Sequence, residues 1–313
     1  MEGITFYFDW EIWIMKWLQE HTGSFGAALA SVITNFGEEM VIIAVLGFLY
    51  WCYDKELGRY MGISICIGIV LNPLIKNIVV RRRPYFDHPE IKCLRPVDKS
   101  ADLFDISAQG YSFPSGHSFN SVIAYGGIGV YKKKRNLFIL GIVISATIAI
   151  SRVVVGVHYP TDVLAGLLMG LCVIWLFSVL YKRVRNRRLM YLIIFLISCV
   201  GMFYCRTSDY YSALGTMGGF FLGDIFEGKY VRFENTRVWY KCVLRLLGGF
   251  ALFLGLNALL KLPFSHDLLS SGTFAAFMIR FFRYVAVTFV IVGLYPKLFT
   301  REGMNAEERA DAL

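Results

Sequence analysis

The sequence predicts an all-α protein, a polytopic membrane helical bundle with a six-helix core and a C-terminal extension of about three helices. Three observations lead there. The chain has 313 residues and is 56% hydrophobic, with a mean hydropathy of +0.54, where soluble domains lie nearer about 45–50% apolar. Its apolar runs are long and almost free of charge: Met61 to Val80 holds only Lys76, and Leu137 to Ile150 and Val163 to Tyr181 hold none. Runs of about 20 apolar residues match the hydrocarbon thickness of a bilayer at the helical rise. The segments between several of these runs are strongly basic.

Residues 1–37 read as an N-terminal interfacial amphipathic segment. Phe6 to Glu20 places Trp10, Trp13 and Trp17 on one helical face, with Asp9, Glu11, Lys16 and Glu20 interspersed. Tryptophans so spaced favour a helix lying at the membrane surface. The segment has no basic region and no cleavage signal, so the first helices are expected to direct insertion. Nine crossings follow, near 38–53, 59–80, 115–131, 137–157, 161–181, 188–205, 211–227, 242–260 and 276–298. The core is expected over 38–205 and the extension over 206–313. Glu38 and Glu39 interrupt the first run, so its outer half is expected to tilt or lie flat.

Loop charge sets the orientation. "KKKR" (132–135), "KRVRNRR" (182–188) and the basic stretch 227–241 share one side by parity, and the positive-inside rule makes it cytoplasmic. The basic stretch 81–99 then falls outside. A net charge of +9 is read as basic loops facing anionic membrane lipids, with no nucleic-acid partner expected. Seven cysteines form no C-x-x-C pair. They read as small hydrophobes, and neither metal nor cofactor is expected.

The same parity brings four distant stretches to the outer face, and these hold the unusual polar residues. Lys76 sits inside an apolar run, where a cation costs about 2.5–3.5 kcal/mol unless partnered. Arg83 follows seven positions later, close to two helical turns, so one helix face could carry both cations. Pro84 is expected to mark the helix end. Arg81 and Arg82 beside it also suit headgroup anchoring. In "PSGH" (114–117), Pro114 suits a first helical position. Free N–H groups at a helix start attract an anion. Ser115 adds a hydroxyl, Gly116 admits a ligand to the backbone and His117 can carry a proton. In "SRVVVGVHYPTD" (151–162), Arg152 is a third cation. Asp162 follows His158 by four residues. That spacing permits a carboxylate–imidazole contact, the arrangement that fixes a histidine's tautomer and raises its basicity.

Taken together, Lys76 with Arg83-Pro84, Pro114-Ser115-Gly116-His117, and Ser151-Arg152 with His158 and Asp162 resemble the three-part signature of the type-2 phosphatidic acid phosphatase superfamily. All three parts match in order and spacing. The resemblance implies a metal-independent phosphatase in which His158 is the nucleophile and forms a phosphohistidine. Asp162 would orient it, and His117 would protonate the leaving group and then activate water. Lys76, Arg83, Arg152, Ser115 and Gly116 would hold the phosphate. An embedded site implies a lipid phosphate substrate. Undecaprenyl pyrophosphate is favoured, then phosphatidylglycerophosphate or phosphatidic acid, on the outer face of a bacterial cell membrane. A transporter or flippase using the same pocket only for binding is the alternative; a haloperoxidase is disfavoured by the membrane character.

The motifs do not reach the extension. There Gly215, Gly219 and Gly223 recur every four residues, which favours close helix packing. Arg280 and Arg283 fall near the outer end of the last crossing, as headgroup contacts or interfacial anchors.

Overall fold

The computed structural model describes residues 3–300; the end of the expected extension, 301–313, lies outside them. Every regular element among the described residues is helical, and the extended backbone makes one isolated bridge, Ile4 to Arg81. Among the described residues, five helices are long and apolar enough to cross a membrane, or six if Asp9–Gly37 and Glu39–Tyr53, bent by 47°, form one span. The protein is an integral membrane helical bundle. Nine crossings of that quality are not present among the described residues, however. The expected crossings at 115–131, 188–205 and 211–227 are helical but short, interrupted or too polar to qualify. Helices enclosed by other helices need not present an apolar surface to lipid.

The chain divides into two compact units, Met1–Ile43 with Leu71–Arg183, and Ala44–Val70 with Val184–Leu313. In the first, α1 (Asp9–Ile33) is kinked at Gly23, whose φ of 60° suits glycine. Trp10, Trp13 and Trp17 are exposed, while Glu11 and Met15 on another face are fully buried. A tight turn leads to α2 (Glu39–Phe48). The end of α3 (Lys55–Val79) is followed by α4 (Pro84–Asp87) and α5 (Ile106–Gln109) in the basic loop. Then α6 (Gly116–Ser121) runs through a π turn into α7 (Gly127–Lys132). The antiparallel helices α8 (Arg135–Val154) and α9 (Pro160–Arg183) complete the unit.

Close packing fixes α6 against α9. A Cβ on Gly166 would stand 2.7 Å from the Ser115 carbonyl, and one on Gly170 2.9 Å from that of Phe119. Only glycines let the helices approach so closely.

The second unit holds α10 (Arg187–Ser198), α11 (Ser208–Phe226), α12 (Trp239–Leu259), α13 (His266–Ser270), α14 (Phe274–Phe289) and α15 (Lys297–Thr300). The expected glycine stripe of α11 is the seam with α14. A Cβ on Gly215 would lie 2.4 Å from the Phe281 carbonyl and one on Gly219 2.5 Å from that of Val285. Asp224, near the end of α11, is buried beneath Arg59, Tyr50 and Tyr191.

Candidate active site

Seven of the eight sequence-derived site residues have contacts that define one region of the first unit; Lys76 enters through its charge. Lys76 lies in the last turn of α3. Arg83 does not share its helix face, contrary to the spacing argument. The helix stops at Val79, and Val80 adopts φ 47°, a left-handed conformation that is strained for a β-branched residue. Ile4 pins that turn, donating its N–H to the Val80 carbonyl and accepting from Arg82 N–H. Arg83 is thereby delivered by extended backbone at the N-cap of α4, and Pro84 begins that helix rather than ending α3.

Arg83 is 3% exposed. Its Nε donates to the Gln109 carbonyl at 2.8 Å and its Nη1 to the Val157 carbonyl at 2.9 Å. The same Nη1 stands 3.5 Å from His158 Nε2. These carbonyls aim the guanidinium without neutralising it.

The "PSGH" stretch starts a helix two residues later than Pro114 suggests. Ser115 is the N-cap, its hydroxyl accepting from Ser118 N–H, and Gly116 is the first helical residue. The turn is tied down twice. Asn72 Nδ2 donates to the Pro114 carbonyl at 3.1 Å, and Ser115 N–H donates to the Asp162 carbonyl at 3.0 Å. His117 Nε2 lies 3.4 Å from Glu38 Oε1, and Glu38 also pairs with Arg95 at 3.0 Å. Gly37 leaves room for the imidazole, since a Cβ there would come within 3.0 Å of His117 Cδ2.

Arg152 ends α8 and is buried; its Nη1 donates to Thr34 Oγ1 at 2.9 Å while its Nε has no partner. His158 precedes α9, in a loop whose Gly156 has φ 79° and would clash through a Cβ with the Lys92 carbonyl. The imidazole is 2% exposed. Asp162 Oδ2 stands 3.5 Å from its Nδ1, so a carboxylate faces one ring nitrogen and Arg83 the other. Burial first, and then the charges of Arg83, Arg152, Lys76 and His117, hold the His158 pKa well below its usual 6.5. Three cations, Lys76, Arg83 and Arg152, therefore act on one buried imidazole.

Several partners were not singled out from sequence. Asp162 is held by Arg81, whose Nη1 is 2.7 Å from Oδ1, by Ser112 Oγ, and by Tyr159 N–H at 2.8 Å. Arg81 is fully buried and also pairs with Glu11 at 2.8 Å, so it is no headgroup anchor. Glu11 in turn accepts from Thr161 N–H at 3.0 Å and Thr161 Oγ1 at 2.6 Å. The signal for Glu11 was its place between the tryptophans, one turn before Met15. For Glu38 it was the break it makes in an apolar run.

The family model described as PAP2 superfamily matches residues 57–186, which include all eight sequence-derived site residues. A second, described as PAP2 superfamily phosphatase, transmembrane extension, matches residues 211–308. An undecaprenyl-diphosphatase of Sulfolobus acidocaldarius is 31% identical over 141 residues, 44% of this chain and 62% of that protein. Phosphatidylglycerophosphatase B of Bacillus subtilis is 29% identical over 169 residues, 50% of this chain and 75% of its own. Decaprenylphosphoryl-5-phosphoribose phosphatase of Mycobacterium tuberculosis is 31% identical over 146 residues, 46% of this chain and 73% of its own. The signature residues, the two consecutive model matches and a relative aligned over most of its length agree, and the chain belongs to the PAP2 superfamily.

Proposed function

We propose that this protein is a membrane-embedded lipid phosphatase. It hydrolyses the phosphate or pyrophosphate of an amphiphile through a phosphohistidine, with no metal in the reaction. The observation that carries this reading is the environment of His158, a buried imidazole with Asp162 at Nδ1, Arg83 at Nε2 and the charges of Arg152 and Lys76 around it.

The chemistry follows from those positions. A phosphate ester enters with its oxygens toward Arg83, Arg152 and Lys76 and toward the N–H groups at the start of α6. These groups stabilise charge that grows on the equatorial oxygens. The Nε2 lone pair attacks phosphorus in line, and the P–N bond forms as the P–O bond to the leaving group breaks. Asp162 holds the Nδ1 proton and stabilises the cationic ring. The 3.5 Å separation in the free protein shortens in the complex, as is usual for catalytic contacts. His117 gives a proton to the departing oxygen. It then takes one from water as that water attacks phosphorus, the P–N bond breaks and inorganic phosphate leaves.

An embedded pocket favours a substrate whose tail stays in lipid. Two relatives have polyprenyl-linked names and one is named for phosphatidylglycerophosphate. Undecaprenyl pyrophosphate is the favoured substrate, followed by phosphatidylglycerophosphate and phosphatidic acid, at the outer face of a bacterial cell membrane. The test is phosphate release by purified protein in detergent with EDTA, across long-chain and short-chain phosphates and pyrophosphates. Release from the long-chain substrates, blocked by vanadate, is expected. Saturable binding with no release from any of them would overturn hydrolysis and leave a transport role.

A further inference from the structure

One buried arginine outside this pocket has no counter-charge. Arg283, on α14, is 6% exposed, and its Nε is sealed from solvent without a hydrogen-bond partner. Among the described residues no carboxylate pairs with it. Its neighbours are the Tyr284 ring, 5.6 Å from the guanidinium carbon, and a second cation, Arg280, one turn earlier. Arg280 is steered toward α11, its Nη1 3.5 Å from Ser212 Oγ.

Two other buried arginines of this unit have close oxygen partners. Arg59 meets Asp224, and Arg245 donates to the carbonyls of Trp51 and Glu234. A headgroup anchor would extend its guanidinium out of the protein to water. Arg283 is enclosed instead, beside a like charge, which disfavours folding unless an anion joins them. Among the described residues, two other buried arginines share an orphaned Nε: Arg245, which donates to backbone carbonyls, and Arg152, in the candidate phosphate pocket.

We propose that Arg280 and Arg283 form a second anion site that binds the phosphate of a lipid headgroup. Paired guanidinium forks suit phosphate oxygens. α14 opens a candidate membrane span, and the two residues lie about 9 and 14 Å along it from Phe274 at the helical rise. The site does not rest on the phosphatase reading. A phosphodiester such as phosphatidylglycerol offers no terminal phosphoryl group for His158 to attack, so binding and hydrolysis are read separately.

The experiment titrates full-length, delipidated protein in neutral detergent with phosphatidylglycerol, diacylglycerol of the same chain length, or inorganic phosphate, and follows the melting temperature. Phosphatidylglycerol should stabilise the wild type saturably, and diacylglycerol should not. Arg280→Gln should weaken the apparent affinity about tenfold. Arg283→Gln should abolish the response, and Arg283→Lys should retain part of it. Should Arg283→Gln not fold, Arg280→Gln decides alone. Equal phosphatidylglycerol responses in wild type and Arg280→Gln, or an equal response to diacylglycerol, overturn the proposal. Inorganic phosphate giving the full shift keeps the site and overturns lipid as its source.

Discussion

Arg81 Nη1 stands 2.7 Å from Asp162 Oδ1, and the same guanidinium reaches Glu11 through Nη2 at 2.8 Å; all three side chains are fully buried. One cation thus joins the carboxylate behind His158 to the first helix. Arg81→Ala strands two buried carboxylates, and breaking such a network costs about 3–5 kcal/mol. The expected result is a sharply lower melting temperature with little phosphate release. Arg81→Lys keeps the charge but loses the forked geometry, and should recover stability better than turnover. An unchanged melting point in Arg81→Ala would show that the network contributes nothing.

The histidines have distinct predicted signatures under the proposed mechanism. His158→Ala should abolish phosphate release, and His117→Ala should lower it by about 10²–10⁴-fold, the usual range for general acid–base help. Both variants should insert and elute from size exclusion like the wild type. Full turnover by His158→Ala would remove the nucleophile assignment. A trapped, acid-labile phosphoryl label should be lost with His158 and retained in His117→Ala.

The pH dependence follows from the burial of His158. Its pKa lies well below 6.5 in the folded protein, so the imidazole stays neutral and nucleophilic at pH values where a free histidine is charged. Below about 6.5 the unfolded chain takes up a proton that the folded chain resists. This group's contribution to stability is therefore intact above that pH and declines as the pH falls. The acid limb of kcat/KM should sit below the ordinary imidazole range. Arg83→Gln removes the largest charge acting on the ring and should shift that limb upward in whatever activity remains. A limb at or above 6.5 in the wild type would contradict this.

Glu38 faces the other histidine, 3.4 Å from His117 Nε2. Glu38→Gln keeps the shape and removes the charge. Among the described residues His117 Nε2 makes no hydrogen bond in the free protein, and the contact tightens to one as the ring takes a proton, worth about 1.5–3 kcal/mol to a charged group. Turnover should therefore fall roughly tenfold or more, with KM little changed. A change confined to KM would mean that Glu38 acts on substrate entry instead.

Packing in the extension gives a prediction about stability alone. At Gly219 an added side chain would meet the Val285 carbonyl and Thr288 Cβ, at 2.5 and 2.8 Å. Gly219→Val should cost about 1–3 kcal/mol by overpacking, read as a lower melting temperature. Gly228→Ala, with nothing within 4 Å of its added carbon, is the matched control and should be nearly neutral.

Read from sequence, the helical class, the membrane location, the family and the α11 glycine seam were all legible. Apolar periodicity, glycine spacing and motif spacing are local properties of the chain. The number of full spans was less so. Gly116–Lys132 and Ser208–Phe226 look like crossings by composition, yet one is broken by a π turn and the other is largely enclosed by protein. Lys76 and Arg83 were expected on one helix face, and that expectation failed. Val80 turns the chain, and Ile4, far away in sequence, holds that turn.

By itself, the sequence determined which residue types stand at the signature positions and that the chain must lie in a bilayer. Hydropathy and spacing need no knowledge of distant neighbours. Only the tertiary structure decided that Glu11 and Arg81 stand behind Asp162, that Glu38 meets His117, and that Arg283 is buried without a counter-charge. Each depends on side chains brought together across dozens of positions, where burial and charge are set by the neighbours that folding supplies.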